Sequence, residues 1–237
     1  MIYFSDPITY GHLIKRYKRF FMDVRLPKGE VITAHTPNTG SMYGLLQEGR
    51  RVMLTASQDR KRKTSHTVQA IEIDGGLVGI NTHLPNRLIR ESLHHPLLRD
   101  LSPYDAVKAE VPYGENLRSR VDLYFSKDGG GLPPLFLEIK NVTMRRNELA
   151  QFPDAPSDRA RKHITDLMNA QEMGARAAMF FIVQRQDCNA FRPAQDIDPQ
   201  YAHDLKEAVE AGLWVRALCA RIDQWGLAIT HEIPCDF

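Results

Sequence analysis

Cysteine is scarce in this chain, with three among 237 residues (Cys188, Cys219, Cys235) and no C-x-x-C pair. That argues against a disulfide framework and a structural zinc site, and suits a reducing cytoplasm. Long apolar runs are lacking as well. The longest, AAMFFIV at 177–183, has the length of a buried strand and falls short of the roughly 18 residues of a membrane span, so no membrane partner is expected. The opening MIYFSDPITYGHLIK has no basic segment followed by an apolar one, which predicts no secretory signal. Net charge is nearly absent, at +2. Attraction to a polyanion must therefore come from a local patch.

Other absences narrow the chemistry. HTPNTGSMYG (35–44) is rich in turn residues but has no P-loop lysine, which excludes a Walker-type phosphate cradle. It reads as a polar turn packing on a second domain or as a backbone surface for nucleic acid. Ser41 and Ser119 stand outside any G-x-S-x-G context, against a serine hydrolase. His94 and His95 are adjacent and lack the i, i+4 spacing of a helical metal pair. No helix-turn-helix or zinc-finger pattern is present, which disfavours operator readout.

What is present is unevenly spread. Residues 1–80 carry 12 Lys/Arg against 7 Asp/Glu, concentrated in KRYKRFF (15–21) and RKRK (60–63). The same region reads as short β-runs: HLIKRYKRFFMDVRL, VITAH, RRVMLTAS, HTVQAIEI and GLVGI, separated by turn residues. About five strands at this spacing predict a small OB-like barrel over residues 1–82. Taken as one strand, 15–21 sets Lys15, Tyr17 and Arg19 on one face and Arg16, Lys18 and Phe20 on the other. Basic residues interleaved with aromatics suit single-stranded nucleic acid. The alternative is that Tyr17 and Phe20 are partly core while the cations are solvated. Arg60, Lys61, Arg62 and Lys63 read as an exposed loop that attracts phosphate without reading sequence.

Residues 83–237 read as an α/β sheet covered by helices. LPNRLIRESLHH (84–95) has apolar residues near helical spacing, with Asn86 as a cap candidate. SRVDLYF and LFLEIKNV flank the glycine-rich SKDGGGLPP as a hairpin. A helix over 158–173, the strand AAMFFIVQ, a helix over 198–212 and the strand LWVRALCARI follow.

The hairpin carries the chemistry. In LFLEIKNV, alternation puts Glu138 and Lys140 on one face and Leu137 and Ile139 on the other. Asp122 on the partner strand can reach the same face. Two carboxylates together repel, and a divalent cation relieves that repulsion. Mg²⁺ (or Mn²⁺) takes oxygen ligands, lowers the pKa of a bound water and neutralises charge on phosphorus. Asp122 and Glu138 are thus the candidate metal ligands, with Lys140 placed to stabilise the transition state. A half-solvated sheet face also alternates charge, and spacing alone does not separate the two readings.

AHTPNTGSM, GLVGINTHLPNRL, YGENLRSRVD, EIKNVT, FPDAPSDRARKH and VQR resemble the sugar fermentation stimulation protein A (SfsA) family, nearly end to end. The resemblance implies an OB-like domain followed by a domain of the PD-(D/E)xK restriction-endonuclease-like fold. It also implies non-specific DNA binding and a regulatory link to sugar, notably maltose, utilisation. By motif, Asp122 answers to the acid of the second core strand and Glu138 and Lys140 to the (D/E)xK pair, while Val121 stands where the motif has proline. Nuclease folds of this kind often add an acid from the preceding helix; Glu91 is the first candidate and Glu115 the alternative. Lys162 and His163 open the next helix, within reach of a phosphate or simply solvated. The leading expectation is a metal-dependent nuclease acting on DNA or RNA. Its rivals are a DNA-binding regulator with a silent site and a binder of a small phosphorylated metabolite. A homodimer would suit cleavage of two strands, but no interface is legible.

Overall fold

A computed structural model of the chain describes residues 1–57, 59 and 61–237. The strands of the first half are β1 (Ile2–Tyr3), β2 (Ile8–Tyr17), β3 (Phe21–Arg25), β4 (Val31–His35), β5 (Arg51–Ala56), β6 (His66–Ile73) and β7 (Gly76–Gly79). Strands β2–β7 form one sheet in the order β4-β3-β2-β5-β6-β7, and a parallel bridge between His35 and Thr67 closes it into a barrel. Leu13, Met22, Val24, Val52, Leu54, Val68 and Val78 fill the interior. This is the OB-like domain, with six strands in place of about five.

The extra strand comes from the basic segment. Residues 15–21 are not one strand: β2 ends at Tyr17, and Lys18 and Arg19 turn the chain with φ of 47° and 65°. Such a turn ordinarily announces itself by Gly or Asn. Two cations in the left-handed region give no such signal. The shared faces expected of Lys15, Tyr17 and Arg19, and of Arg16, Lys18 and Phe20, therefore do not form.

The second half runs α1 (Leu84–Glu91), β8 (Ala106–Tyr113), β9 (Ser119–Ser126), β10 (Leu135–Val142), β11 (Met144–Arg146), β12 (Leu149–Phe152) and α2 (Asp158–Glu172). It continues with β13 (Arg176–Val183), β14 (Ala190–Pro193), α3 (Pro199–Glu210), β15 (Trp214–Asp223) and β16 (Gly226–Ile233). Seven strands make the main sheet in the order β1-β16-β15-β13-β10-β9-β8, with β10, β13 and β15 parallel. The small strand β1 thus joins the sheet of the second domain, although its residues precede the barrel. Strands β11, β12 and β14 form a small separate sheet.

Each face of the main sheet buries its own core. Leu123, Leu135, Leu137, Ile139 and Phe180 pack with α1 residues Leu88 and Ile89, and with Met53 and Ala70 of the barrel. Val121, Met179 and Phe181 pack with Ile164 and Leu167 of α2 and Tyr201 and Leu205 of α3. Burial of this kind contributes about 25 cal/mol per Å² of apolar surface. The two domains are clasped by Gln184 at the end of β13. Gly79 N–H donates to its backbone oxygen (2.8 Å), and its side-chain amide donates to Asn81 O (3.2 Å) and Asn141 Oδ1 (2.5 Å). A Cβ at Gly79 would lie 2.3 Å from Gln184 Oε1, so only glycine permits this approach.

Candidate active site

Strand β10 pairs with β13 along all eight residues but with β9 at only three positions, Leu135, Leu137 and Phe136 between them. Beyond Leu137 the β9 ladder opens, and the Asp122 side chain occupies the gap. Its Oδ2 accepts the Ile139 backbone N–H at 2.6 Å, and its Oδ1 accepts Asn86 Nδ2 at 2.7 Å. Burial and the neighbouring Glu138 charge push the Asp122 pKa up to about 7.

Alternation along β10 sends Glu138 and Lys140 to the α2 side of the sheet, opposite Leu137 and Ile139. Glu138 is 2 % exposed and Lys140 9 %. Lys140 Nζ donates to Glu138 Oε1 at 2.7 Å. His163 meets the same oxygen through Nδ1; since a carboxylate only accepts, Nδ1 carries the proton. Arg159 Nε makes a long contact of 3.4 Å to His163 Nε2. Burial alone would raise the Glu138 pKa, but the Lys140 charge and the His163 hydrogen bond outweigh it and hold the carboxyl below its usual range. The other oxygen, Oε2, is buried with no hydrogen-bond partner among the described residues. An orphaned carboxylate oxygen at that depth is costly unless something fills the place.

Helix α2 delivers His163 because of how it is built. Ser157 caps it, accepting Ala160 N–H at 3.1 Å, and Ala160, His163, Ile164 and Leu167 form its buried stripe. On α1, Asn86 lies inside the helix, which His83 precedes as cap residue. Asn86 is thus a partner of Asp122 rather than a cap. Glu91, five residues on, is turned about 140° around the axis. It pairs with Arg87 at 2.7 Å, which holds its pKa down, and it is not among the residues lining the site. Glu115 is exposed and does not line it either.

Asp122, Glu138, Lys140 and His163 border one cavity of about 250 Å³, with Asn86 and Arg159 at its wall. A second groove of about 370 Å³ shares Asp122, Arg159 and His163, and adds Arg118, Arg120 and Lys162. Lys162 Nζ donates to Ser119 Oγ and Asp166 Oδ2, both at 2.6 Å. The arginines of this groove are not legible as site residues in the sequence, since Arg118 and Arg120 sit in a segment that reads only as a strand start.

Among the described residues, none of the barrel cations lines either space. Lys15 is exposed, 3.8 Å from Asp23. Tyr17 donates to Asp23 at 3.1 Å. Arg16 turns back to Arg19 O (2.9 Å) and Asn38 O (2.9 Å), and Arg19 donates to Thr39 O (3.1 Å). Lys18, Lys61 and Lys63 are exposed, and Arg62 donates to Thr67 Oγ1 at 2.8 Å. Arg60 lies outside the described residues.

Residues 83–226 match the family model of the sugar fermentation stimulation protein RE domain, and residues 14–80 match the SfsA N-terminal OB domain. The chain belongs to the SfsA family. A sugar fermentation stimulation protein homolog of Maricaulis maris is 42% identical over 227 residues, covering 95% of each chain. One from Citrifermentans bemidjiense is 43% identical over 229 residues, covering 97% of each. Among solved structures, Pyrococcus furiosus SfsA in complex with Ca²⁺ superposes with a TM-score of 0.88 at 29% identity, covering 100% of this chain and 98% of that one. The SfsA architecture of an OB barrel followed by a restriction-endonuclease-like α/β domain is therefore that of this chain. No helix among the described residues is long and apolar enough to cross a membrane.

Proposed function

We propose that this SfsA-family protein binds nucleic acid, largely without sequence preference, and hydrolyses its phosphodiester bonds with a divalent cation held by Asp122 and Glu138. The observation that carries the reading is Glu138: a buried carboxylate, anchored through one oxygen and bare at the other, beside an Asp122 whose ionisation burial and the Glu138 charge together suppress. The free oxygen of Glu138, with one oxygen of the Asp122 carboxylate, would fit Mg²⁺ or Mn²⁺, which accept one or two carboxylates and keep waters. Among the described residues no cluster of three acidic, His or Cys side chains forms a cage, so the remaining ligands fall to water and substrate. The Ca²⁺ complex of the Pyrococcus furiosus relative supports a hard-cation site.

Bound there, the cation would acidify a water and offset charge on the phosphate. The chain's own groups do the rest. Asn86 and the Ile139 N–H fix the Asp122 carboxylate, and His163 fixes Glu138. The Lys140 ammonium, 2.7 Å from Glu138 Oε1, would face the charge that develops on the phosphate. Arg118, Arg120, Arg159 and Lys162 neutralise the flanking strand along the adjoining groove, a sequence-independent attraction that salt weakens. The shared name of the relatives, sugar fermentation stimulation protein, supports a link to regulation of sugar utilisation.

The test is hydrolysis of labelled single- and double-stranded DNA and of RNA, with Mg²⁺, Mn²⁺ or chelator, by the protein and by Lys140→Ala. Metal-dependent cutting lost in the variant supports the reading. Binding without cutting by either protein, over all substrates and metals, refutes it and leaves a non-catalytic DNA-binding regulator.

A further inference from the structure

A separate cavity of about 210 Å³ lies at the domain junction and shares Thr82, Asn141 and Phe152 with the cavity of Asp122 and Glu138. Its chemistry is different. Asn38, Thr143 and Gln151 contribute amides and a hydroxyl, and among the described residues Asp154 is its one charged residue and no Lys, Arg or His lines it. Gln151 Oε1 is buried without a hydrogen-bond partner among the described residues. A lone carboxylate with no cation repels phosphate, while amides offer paired donors and acceptors.

The cavity is preformed. Its barrel-side wall is the loop of residues 38–40, held from one side by Arg16 on Asn38 O (2.9 Å) and Arg19 on Thr39 O (3.1 Å). From the other side Asp154 Oδ2 accepts Ser41 N–H (2.8 Å), Ser41 Oγ–H (3.0 Å) and Met42 N–H (3.3 Å). A Cβ at Gly40 would lie 2.6 Å from Asp154 Oδ2, so the loop closes this tightly only with glycine there. Phe152, on the wall common to both cavities, is fixed against Phe181 and Tyr201 at ring separations of 5.8 and 5.4 Å. The ligand these walls suit is neutral, hydrogen-bonding and able to lie on an aromatic ring.

We propose that this junction cavity receives one unstacked nucleobase of the strand whose phosphate lies at Glu138. The inference rests on the nuclease reading for the placement of that phosphate. It makes the substrate single-stranded, or a nucleotide extruded from a duplex, since a base inside a duplex cannot reach a recess at the domain junction. Arg16 and Arg19 then serve the base site by holding its wall.

The experiment uses single-stranded oligonucleotides of about four nucleotides, too short to shift register without losing phosphate contacts, carrying one 2-aminopurine or one abasic site at each position in turn and titrated with the full-length protein in Ca²⁺. Gln151→Met and Thr143→Val are run beside it, each checked by its thermal midpoint. The expected result is a fluorescence change confined to one position and about tenfold weaker binding when that position is abasic. In either folded variant the tenfold penalty falls towards onefold. Abasic sites tolerated within twofold at every position would overturn the inference, as would full discrimination retained by both variants. Displacement of the oligonucleotide by maltose with no abasic penalty would overturn it too, assigning the cavity to a saccharide. Because binding is read without cleavage, absence of hydrolysis counts against the nuclease reading alone.

Discussion

Replacing Asp122 by asparagine separates stability from function at this site. In the folded protein without a cation, burial and the Glu138 charge raise the Asp122 pKa from its ordinary 3.8 to about 7. A group raised this way holds a proton in the folded chain that the unfolded chain has released, so stability falls as pH rises from about 4 to about 7. At 1.36 kcal/mol per pKa unit the full penalty approaches about 4 kcal/mol above pH 7, and roughly 2–4 kcal/mol allows for screening at the cavity mouth. The introduced amide would keep an oxygen for the Ile139 N–H, and Asn86 can turn its own amide to face the new NH₂ group. The expected outcome in chelator is that Asp122→Asn matches the parent near pH 4 and exceeds it by roughly 2–4 kcal/mol at pH 8. Urea unfolding followed by tryptophan fluorescence from pH 4 to 8 reads the difference. Adding Mg²⁺ should stabilise the parent by mass action and leave the variant unmoved. A variant less stable than the parent at pH 8, or a gap that does not widen with pH, would show that Asp122 is not held protonated by its surroundings.

Three further outcomes follow from the same contacts. Lys140→Ala leaves Glu138 buried with His163 as its remaining side-chain partner. Its loss should cost about 3 kcal/mol at neutral pH and shrink towards pH 4 as the carboxyl protonates, read by the same unfolding series. Arg118→Ala with Arg120→Ala should lower the magnitude of the log–log salt slope of DNA binding by about 1 to 2, alike for unrelated sequences, measured by anisotropy. Asp198 caps α3, accepting Tyr201 N–H (3.0 Å) and Ser157 N–H (2.9 Å), and these bonds with Arg161 outweigh burial and keep its pKa low. Asp198→Ala should destabilise the fold by about 2 kcal/mol above pH 4, again read by urea unfolding. That difference should fade as pH falls through the lowered pKa of the parent, because the parent loses the same bonds on protonation.

The hairpin of β9 and β10 is legible in the sequence because alternation is a strict rule: an acid and a base interrupting an apolar run must share a face. Local pattern also reveals the span of α2, the glycine after it, and Ile164 and Leu167 on its buried face, while the Ser157 cap and the burial of Ala160 and His163 emerge only in the structure. What escapes reading depends on tertiary context. The turn at Lys18 and Arg19 has no turn residue in it. Edge strand β8 is largely solvated and carries Pro112 and a left-handed Glu110 (φ 54°), so its period is blurred. The choice of Asn86 over Glu91 at the site turns on the phase of α1 against the sheet, which no spacing within the helix reveals. The Gln184 clasp and the Asp154 anchor join residues more than a hundred positions apart, and a single sequence does not show such pairs.

The proposed chemistry stands or falls on whether Asp122 and Glu138 together hold a divalent cation. Anomalous diffraction from crystals of the protein soaked in Mn²⁺ would locate the ion. One strong peak is expected against both carboxylates, at the free oxygen of Glu138, and it should vanish in Glu138→Gln. An ordered Mn²⁺ bound elsewhere while this place stays empty would contradict the proposal.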